Sequence, residues 1–264
     1  MKSITLGQYI QGETIIHRLD PRFKVVILLL LIAAVFIIKT FAGFGLLFAL
    51  LGFTLLLSRL PCLYFLRGLR PLLFLGLLTL LLHFFLTKGG EVYLALGPVT
   101  VEQRGVFLGL FMALRLVFLV ASTNLLTLTT SPVALADSLE ALGKPAEKIG
   151  FPVHEMAMMM TIALRFIPTL MEESGKIMKA QMARGADFET GNIIKRARSM
   201  VPLLVPLFIS AFRRADDLAI AMEARCYQGG KNRTRMKEMA AVAADYLALG
   251  LVSLILLFII ISGL

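Results

Sequence analysis

The chain has 264 residues, 58% of them hydrophobic, with 27 Lys and Arg against 17 Asp and Glu. A mean hydropathy of +0.84 excludes an ordinary soluble domain, and the apolar excess is gathered in runs, as in a polytopic membrane protein. The net charge of +10 does not point to nucleic acid: no basic groove interleaved with aromatics is visible, and Lys and Arg accumulate on the cytoplasmic side of membrane proteins beside anionic lipid.

In chain order, Met1 to Arg22 is polar and lacks the apolar core of a signal peptide, so the first span is expected to serve as the targeting signal. Five apolar runs read as spans: Val25 to Ile38, Phe41 to Leu57, Leu72 to Leu86, Val106 to Leu128 and Met239 to Leu264. Several are shorter than the ~20 residues a span needs. Flanking Lys and Arg can snorkel, and Gly43, Gly45 and Gly52 are expected to permit close helix packing in the bilayer. Gly89-Gly90 to Gly97-Pro98 reads as an external loop with a short hairpin. Lys2, Arg18, Arg22 and Lys24 precede the first span, and Arg59, Arg67 and Arg70 separate the second from the third, so both regions are expected to be cytoplasmic.

Ser131 to Glu238 holds 16 of the 27 basic residues and is expected in the cytoplasm as well. Ser131-Pro132 opens a helix expected to run through Leu142, with Gly143 at its end. Pro152 starts a long helix to about Ala183, in which Pro168 is expected to kink the axis and after which Gly185 stops it. A short amphipathic piece, Ile193 to Met200, comes next; Pro202 and Pro206 then begin another long helix, to about Arg225, ended by Gly229-Gly230. The expected fold is an all-α membrane protein of about five transmembrane helices with a cytoplasmic platform of long amphipathic helices. Its expected organisation is 1–130 (N-terminal segment and four spans), 131–238 (cytoplasmic helical module with two Ala-Arg-small helix ends) and 239–264 (last span).

Catalytic patterns are missing. The pairs Gly143-Lys144, Gly175-Lys176 and Gly230-Lys231 lack the upstream Gly and following hydroxyl of a nucleotide-binding loop. His154-Glu155 is not followed by a zinc-protease histidine, the three histidines His17, His83 and His154 fall in separate regions, and there is no Gly-x-Ser-x-Gly elbow. Cys62 and Cys226 suggest neither a disulfide framework nor a zinc site. The spans carry almost no acidic residues, which argues against an ion-coupled pump built on buried carboxylates. No catalytic residue, metal or cofactor is expected. Arg115, about midway along the fourth span, reads either as a contact to a partner or substrate path, or as an Arg that snorkels or faces the interior of its own bundle. Met156, Met159, Met160, Ala163 and Ile167 fall at helical spacing, giving either an adaptable sliding surface or ordinary packing core.

Two stretches carry the functional reading. One ends Ala183-Arg184-Gly185 and the other Ala224-Arg225-Cys226, each at the end of a long helix. Arg at a helix C-terminus favours the dipole and can bond the last carbonyls. Two such ends with small neighbours also suit insertion into grooves on other proteins, where the guanidinium fork meets carboxylates or carbonyls. With Leu19-Asp20-Pro21-Arg22-Phe23-Lys24 and Leu164-Arg165-Phe166-Ile167-Pro168, these motifs make essentially the whole chain resemble the transmembrane T-component of energy-coupling factor (ECF) transporters. The resemblance implies a non-catalytic coupling subunit of the cell membrane. Its partners would be two ABC-type ATPases, docked at Arg184 and Arg225, and a small membrane-embedded substrate-binding protein, the S-component, specific for a vitamin or metal. Cys226 stands where the family pattern has Gly, so a backbone conformation that needs Gly would be harder to reach there. The rival readings are the membrane subunit of a conventional ABC importer, a stand-alone secondary transporter and an intramembrane enzyme.

Overall fold

The computed structural model describes residues 9–96, 99–188, 192–229 and 239–263. Its helices are α1 (Ile15–Arg18), α2 (Pro21–Ile37), α3 (Phe41–Ser58), α4 (Cys62–Leu86), α5 (Gln103–Thr129), α6 (Pro132–Glu147), α7 (Val153–Ala183), α8 (Ile193–Ala224) and α9 (Ala243–Ser262). The fold is all-α, as expected, apart from a small antiparallel hairpin of β1 (Val92–Leu96) and β2 (Val99–Glu102), which pairs Leu96 with Val99 in the loop where a hairpin was expected. The tip of that loop, Gly97-Pro98, lies outside the described residues. The chain divides into two compact units, Met1–Ser138 with Lys237–Leu264, and Leu139–Met236.

In the first unit, α3, α4, α5 and α9 are long and apolar enough to cross a membrane. The first expected span, α2, has 17 residues, about 26 Å of helix against a hydrocarbon core of about 30 Å. Val35, Phe44, Leu47, Phe118, Leu128 and Ile259 are buried at the centre. Edge-on aromatic pairs, such as Phe44 with Phe111 at 4.8 Å between ring centroids, join α3 to α5. Outward-facing Leu56, Phe74 and Ile261 are strongly exposed, a liability in water but the natural surface against lipid.

Of the three glycines expected to permit close packing, Gly43 is buried, but Gly45 and Gly52 have open space beside them. Helix α5 presses on α4 through Gly105 and Gly109, where an added Cβ would lie 2.7 Å from the His83 carbonyl oxygen and 3.1 Å from His83 Cβ. Small residues four apart let helix backbones meet in this way. Further along the same pair, buried Asn124 donates to the Phe65 carbonyl at 3.1 Å, and the space it needs is kept by Gly68, whose Cβ would sit 2.4 Å from the Asn124 amide nitrogen.

The Asp20-Pro21-Arg22 stretch is a clasp. Asp20 caps α2 by accepting from the Arg22 backbone at 2.9 Å, and its carboxylate also takes the Arg22 guanidinium at 2.7 Å. Arg22 then reaches the Met239 carbonyl at 2.7 Å. From the other side, the buried Asp245 carboxylate accepts the Asp20 backbone N–H at 2.8 Å and caps α9 at Val242 at 2.7 Å. The one charge of the last apolar run therefore ties the chain's two ends together. Lys24 is buried but satisfied, donating to the His17 and Thr129 carbonyls at 3.2 and 3.1 Å.

The second unit holds the end of α6 with α7 and α8. Helix α6 does not stop at Gly143 as expected; it continues to Glu147 through Pro145. Gly143 serves packing instead, since a Cβ there would meet Val153 Cγ1 at 2.7 Å. The expected break between Ile193–Met200 and a second helix is also absent: α8 is one helix of 32 residues containing Pro202 and Pro206. Each proline removes one backbone bond. Being four apart, they place both losses on one face, which lets the helix bend rather than break.

Candidate functional site

Both long helices end in the same backbone motif. At the end of α7, Arg184 is the C-cap with φ −87° and ψ 7°, and Gly185 comes next in the left-handed region at φ 88°. The Gly185 N–H donates to the Met182 carbonyl at 3.0 Å, and the Ala186 N–H to that of Gln181 at 2.9 Å. At the end of α8, Arg225 has φ −91° and ψ 10°, and Cys226 comes next at φ 56°. The Cys226 N–H donates to Glu223 at 2.8 Å, and the Tyr227 N–H to Met222 at 3.1 Å. Each end is a Schellman turn, which satisfies carbonyls that the helix leaves open. Cys226 does reach the conformation its side chain disfavours, at a cost of about 1–2 kcal/mol that Gly185 avoids.

Ala183, Arg184, Gly185, Ala224, Arg225 and Cys226 are all exposed. Among the described residues neither guanidinium has a hydrogen bond or ion pair. Their positive charge is therefore presented at the surface, beside the negative end of each helix dipole.

The two helices run antiparallel. Midway, Glu173 of α7 accepts from the Ser210 hydroxyl and from Arg214 of α8, the latter at 3.1 Å. The Ser210 hydrogen bond, partly offset by burial, and then the Arg214 charge hold the Glu173 carboxyl below the usual carboxylate range. Near the start of α7, His154 meets Tyr227, just past the end of α8, at 3.3 Å. The same ring meets Glu140 of α6 at 2.9 Å. A cleft of ≈ 520 Å³ lies beside this end, lined by Met158, Thr161 and Ile162 of α7 and by Arg225 and Cys226. The two tips therefore leave from opposite ends of the pair, about 40 Å apart by helix rise.

Upstream of the tips lie apolar stripes. Met156, Met159, Met160, Ala163 and Ile167 share one face of α7, and all are exposed. Counting back from the two arginines, Met160, Ala163, Ile167 and Met171 of α7 match Val201, Leu204, Phe208 and Phe212 of α8 position for position, again all exposed. The apolar start of this helix, Leu203 to Phe208, is legible in the sequence, whereas its position-for-position match to the α7 stripe shows only once α8 is continuous through Pro202 and Pro206. In the other unit, Arg115 stacks on Phe36 and Phe111 at 5.3 and 5.4 Å from the ring centroids, which favours the reading that it faces its own bundle.

These features define a multi-pass helical membrane protein carrying two matched, exposed arginine ends. A family model described as Cobalt transport protein (CbiQ) matches residues 12–236. The energy-coupling factor transporter transmembrane protein EcfT of Thermosediminibacter oceani is 55% identical over 256 residues, 96% of each chain. That of Clostridium kluyveri is 53% identical over 94% of this chain and 92% of its own, and that of Bacillus subtilis 45% identical over 93% and 92%. The chain belongs to this family of energy-coupling factor transporter transmembrane proteins.

Proposed function

We propose that this chain is the coupling subunit of an ECF-type ABC importer, transmitting the ATP-driven motion of two ATPase subunits to a separate membrane S-component during vitamin or metal uptake. The observation that carries the reading is the pair of Schellman ends with exposed guanidiniums at Arg184 and Arg225. Each would enter a groove on one ATPase, with Ala before it and a small residue after it giving clearance. ATP hydrolysis belongs to those partners; this chain contributes attachment and motion.

In this reading residues 1–130 and 239–264 anchor the chain in the bilayer, while the N-terminus and residues 131–238 face the cytoplasm, a topology that the distribution of basic residues favours. The exposed stripes on α7 and α8 supply adaptable apolar contact for the S-component, methionine on one side and phenylalanine on the other. When the ATPases close, the tips approach, and the helices shear about the Glu173 contact with Ser210 and Arg214.

A charge-assisted contact is worth about 2 kcal/mol, so losing one tip weakens attachment and losing both removes it. The test is uptake by the Arg184→Ala, Arg225→Ala double variant, together with ATP hydrolysis by the assembled complex. Uptake should be abolished, with either single variant retaining more. Wild-type uptake in the double variant would overturn the reading.

A further inference from the structure

We propose that Glu140, His154 and Tyr227 form a positioning chain that holds the α8 tip in its docking geometry, so that the two arginine ends are not equivalent. The inference rests on the reading of Arg225 as a docking residue.

The two turns share a backbone but differ in what stabilises it. Gly185 takes the left-handed conformation of the α7 turn at φ 88° without a side chain to resist it. Cys226 carries a Cβ at φ 56° in the same place, so the α8 turn is intrinsically less favoured. The next residue along the chain differs as well. After the α7 turn comes Ala186, with no polar side chain. After the α8 turn comes Tyr227, whose own N–H closes the turn onto the Met222 carbonyl at 3.1 Å.

The Tyr227 hydroxyl lies 3.3 Å from His154 Nε2, and His154 Nδ1 lies 2.9 Å from Glu140 Oε1. A carboxylate only accepts, so Nδ1 carries the ring proton; in the neutral ring Nε2 then accepts from the tyrosine. Glu140 is buried, which gives the chain a fixed origin on α6. Anchoring the Tyr227 ring fixes the residue whose N–H completes the turn, and with it the direction of Arg225 two positions earlier. Glu140, His154 and Tyr227 thus replace, at the α8 tip, the conformational freedom that glycine supplies at the α7 tip.

A positioning role makes a prediction that general packing does not. Tyr227→Phe keeps the ring and removes only the hydroxyl. Cys226→Gly removes the reason the turn needs support. In the full chain, purified in detergent, Tyr227→Phe should speed hydrogen exchange at the Tyr227 amide about fivefold, and adding Cys226→Gly should restore the wild-type rate. In the complex with its ATPases, Tyr227→Phe should cut the retained ATPase about fivefold, with the same rescue. Unchanged exchange in Tyr227→Phe, or a defect that Cys226→Gly does not repair, would overturn the proposal. Arg225→Ala separates the two levels. If that variant loses ATPase while Tyr227→Phe does not, the positioning chain fails and the docking reading stands. If it retains ATPase fully, the docking reading of this tip fails, and with it the proposal's functional consequence.

Discussion

Replacing Gly105 with Ala would place a Cβ 2.7 Å from the His83 carbonyl oxygen and 2.8 Å from that of Thr87. Carbon and oxygen rest about 3.3 Å apart at closest, so α4 and α5 must part by about half an ångström. Both obstacles are backbone atoms, which cannot swing aside as a side-chain end can. Overpacking of this kind costs about 2 kcal/mol, while removing a helical glycine returns at most about 1 kcal/mol. The clash therefore wins, and Gly105→Ala should be less stable by about 1 kcal/mol or more. Gly45→Ala is the control: nothing lies within 4 Å of its Cβ, so only the favourable contribution remains. Thermal unfolding in detergent should show a midpoint lowered by about 2–4 °C or more in Gly105→Ala and not lowered in Gly45→Ala. Equal midpoints for the two variants would refute the close α4–α5 approach from which the cost is reasoned.

Asp20 gives a pH prediction. Burial pushes its carboxyl up, but hydrogen bonds from Arg22 and the charges of Arg22 and Lys24 outweigh that and hold it below its ordinary value. Its folded pKa is depressed, so its contribution to stability is complete above about pH 4 and is lost as pH falls through the folded value. Asp20→Asn should lower the unfolding midpoint at pH 7 and flatten the loss of stability below about pH 4; a variant with an acid profile parallel to wild type would contradict the clasp. Glu173→Ala should loosen the α7–α8 crossing, seen as faster hydrogen exchange around Ser210 with α9 unchanged, and wild-type exchange at Ser210 would count against that contact as the pivot.

The long elements were legible because their signals are large. Apolar runs marked four of the spans, and Ser131-Pro132 marked the start of α6, where the Ala134 N–H donates to Ser131 Oγ at 3.3 Å. The errors fell on glycine and proline, whose meaning depends on neighbours remote in sequence. Gly143 reads as a stop by itself, yet Val153 across the next turn makes it a packing glycine inside a continuing helix. Pro202 and Pro206 read as a helix start, yet two losses on one face left α8 continuous. The spacing of Gly105 and Gly109 was visible, but only the position of His83 distinguishes it from the open glycines of α3. At the site, the similarity of the two arginine ends was readable, whereas their shared turn was not, because Cys226 does not advertise a left-handed backbone. The pairings of Asp20 with Asp245 and of Tyr227 with His154 join residues far apart in the chain, which no local pattern reveals.

The most direct test of the coupling reading is recovery of the tagged chain from its native membrane in mild detergent, with its partners identified by mass spectrometry. The account predicts ABC-type ATPases together with a small, separate membrane protein, and loss of the ATPases when Arg184 and Arg225 are both replaced by Ala. Recovery of the chain alone, under conditions that keep other membrane complexes intact, would contradict it.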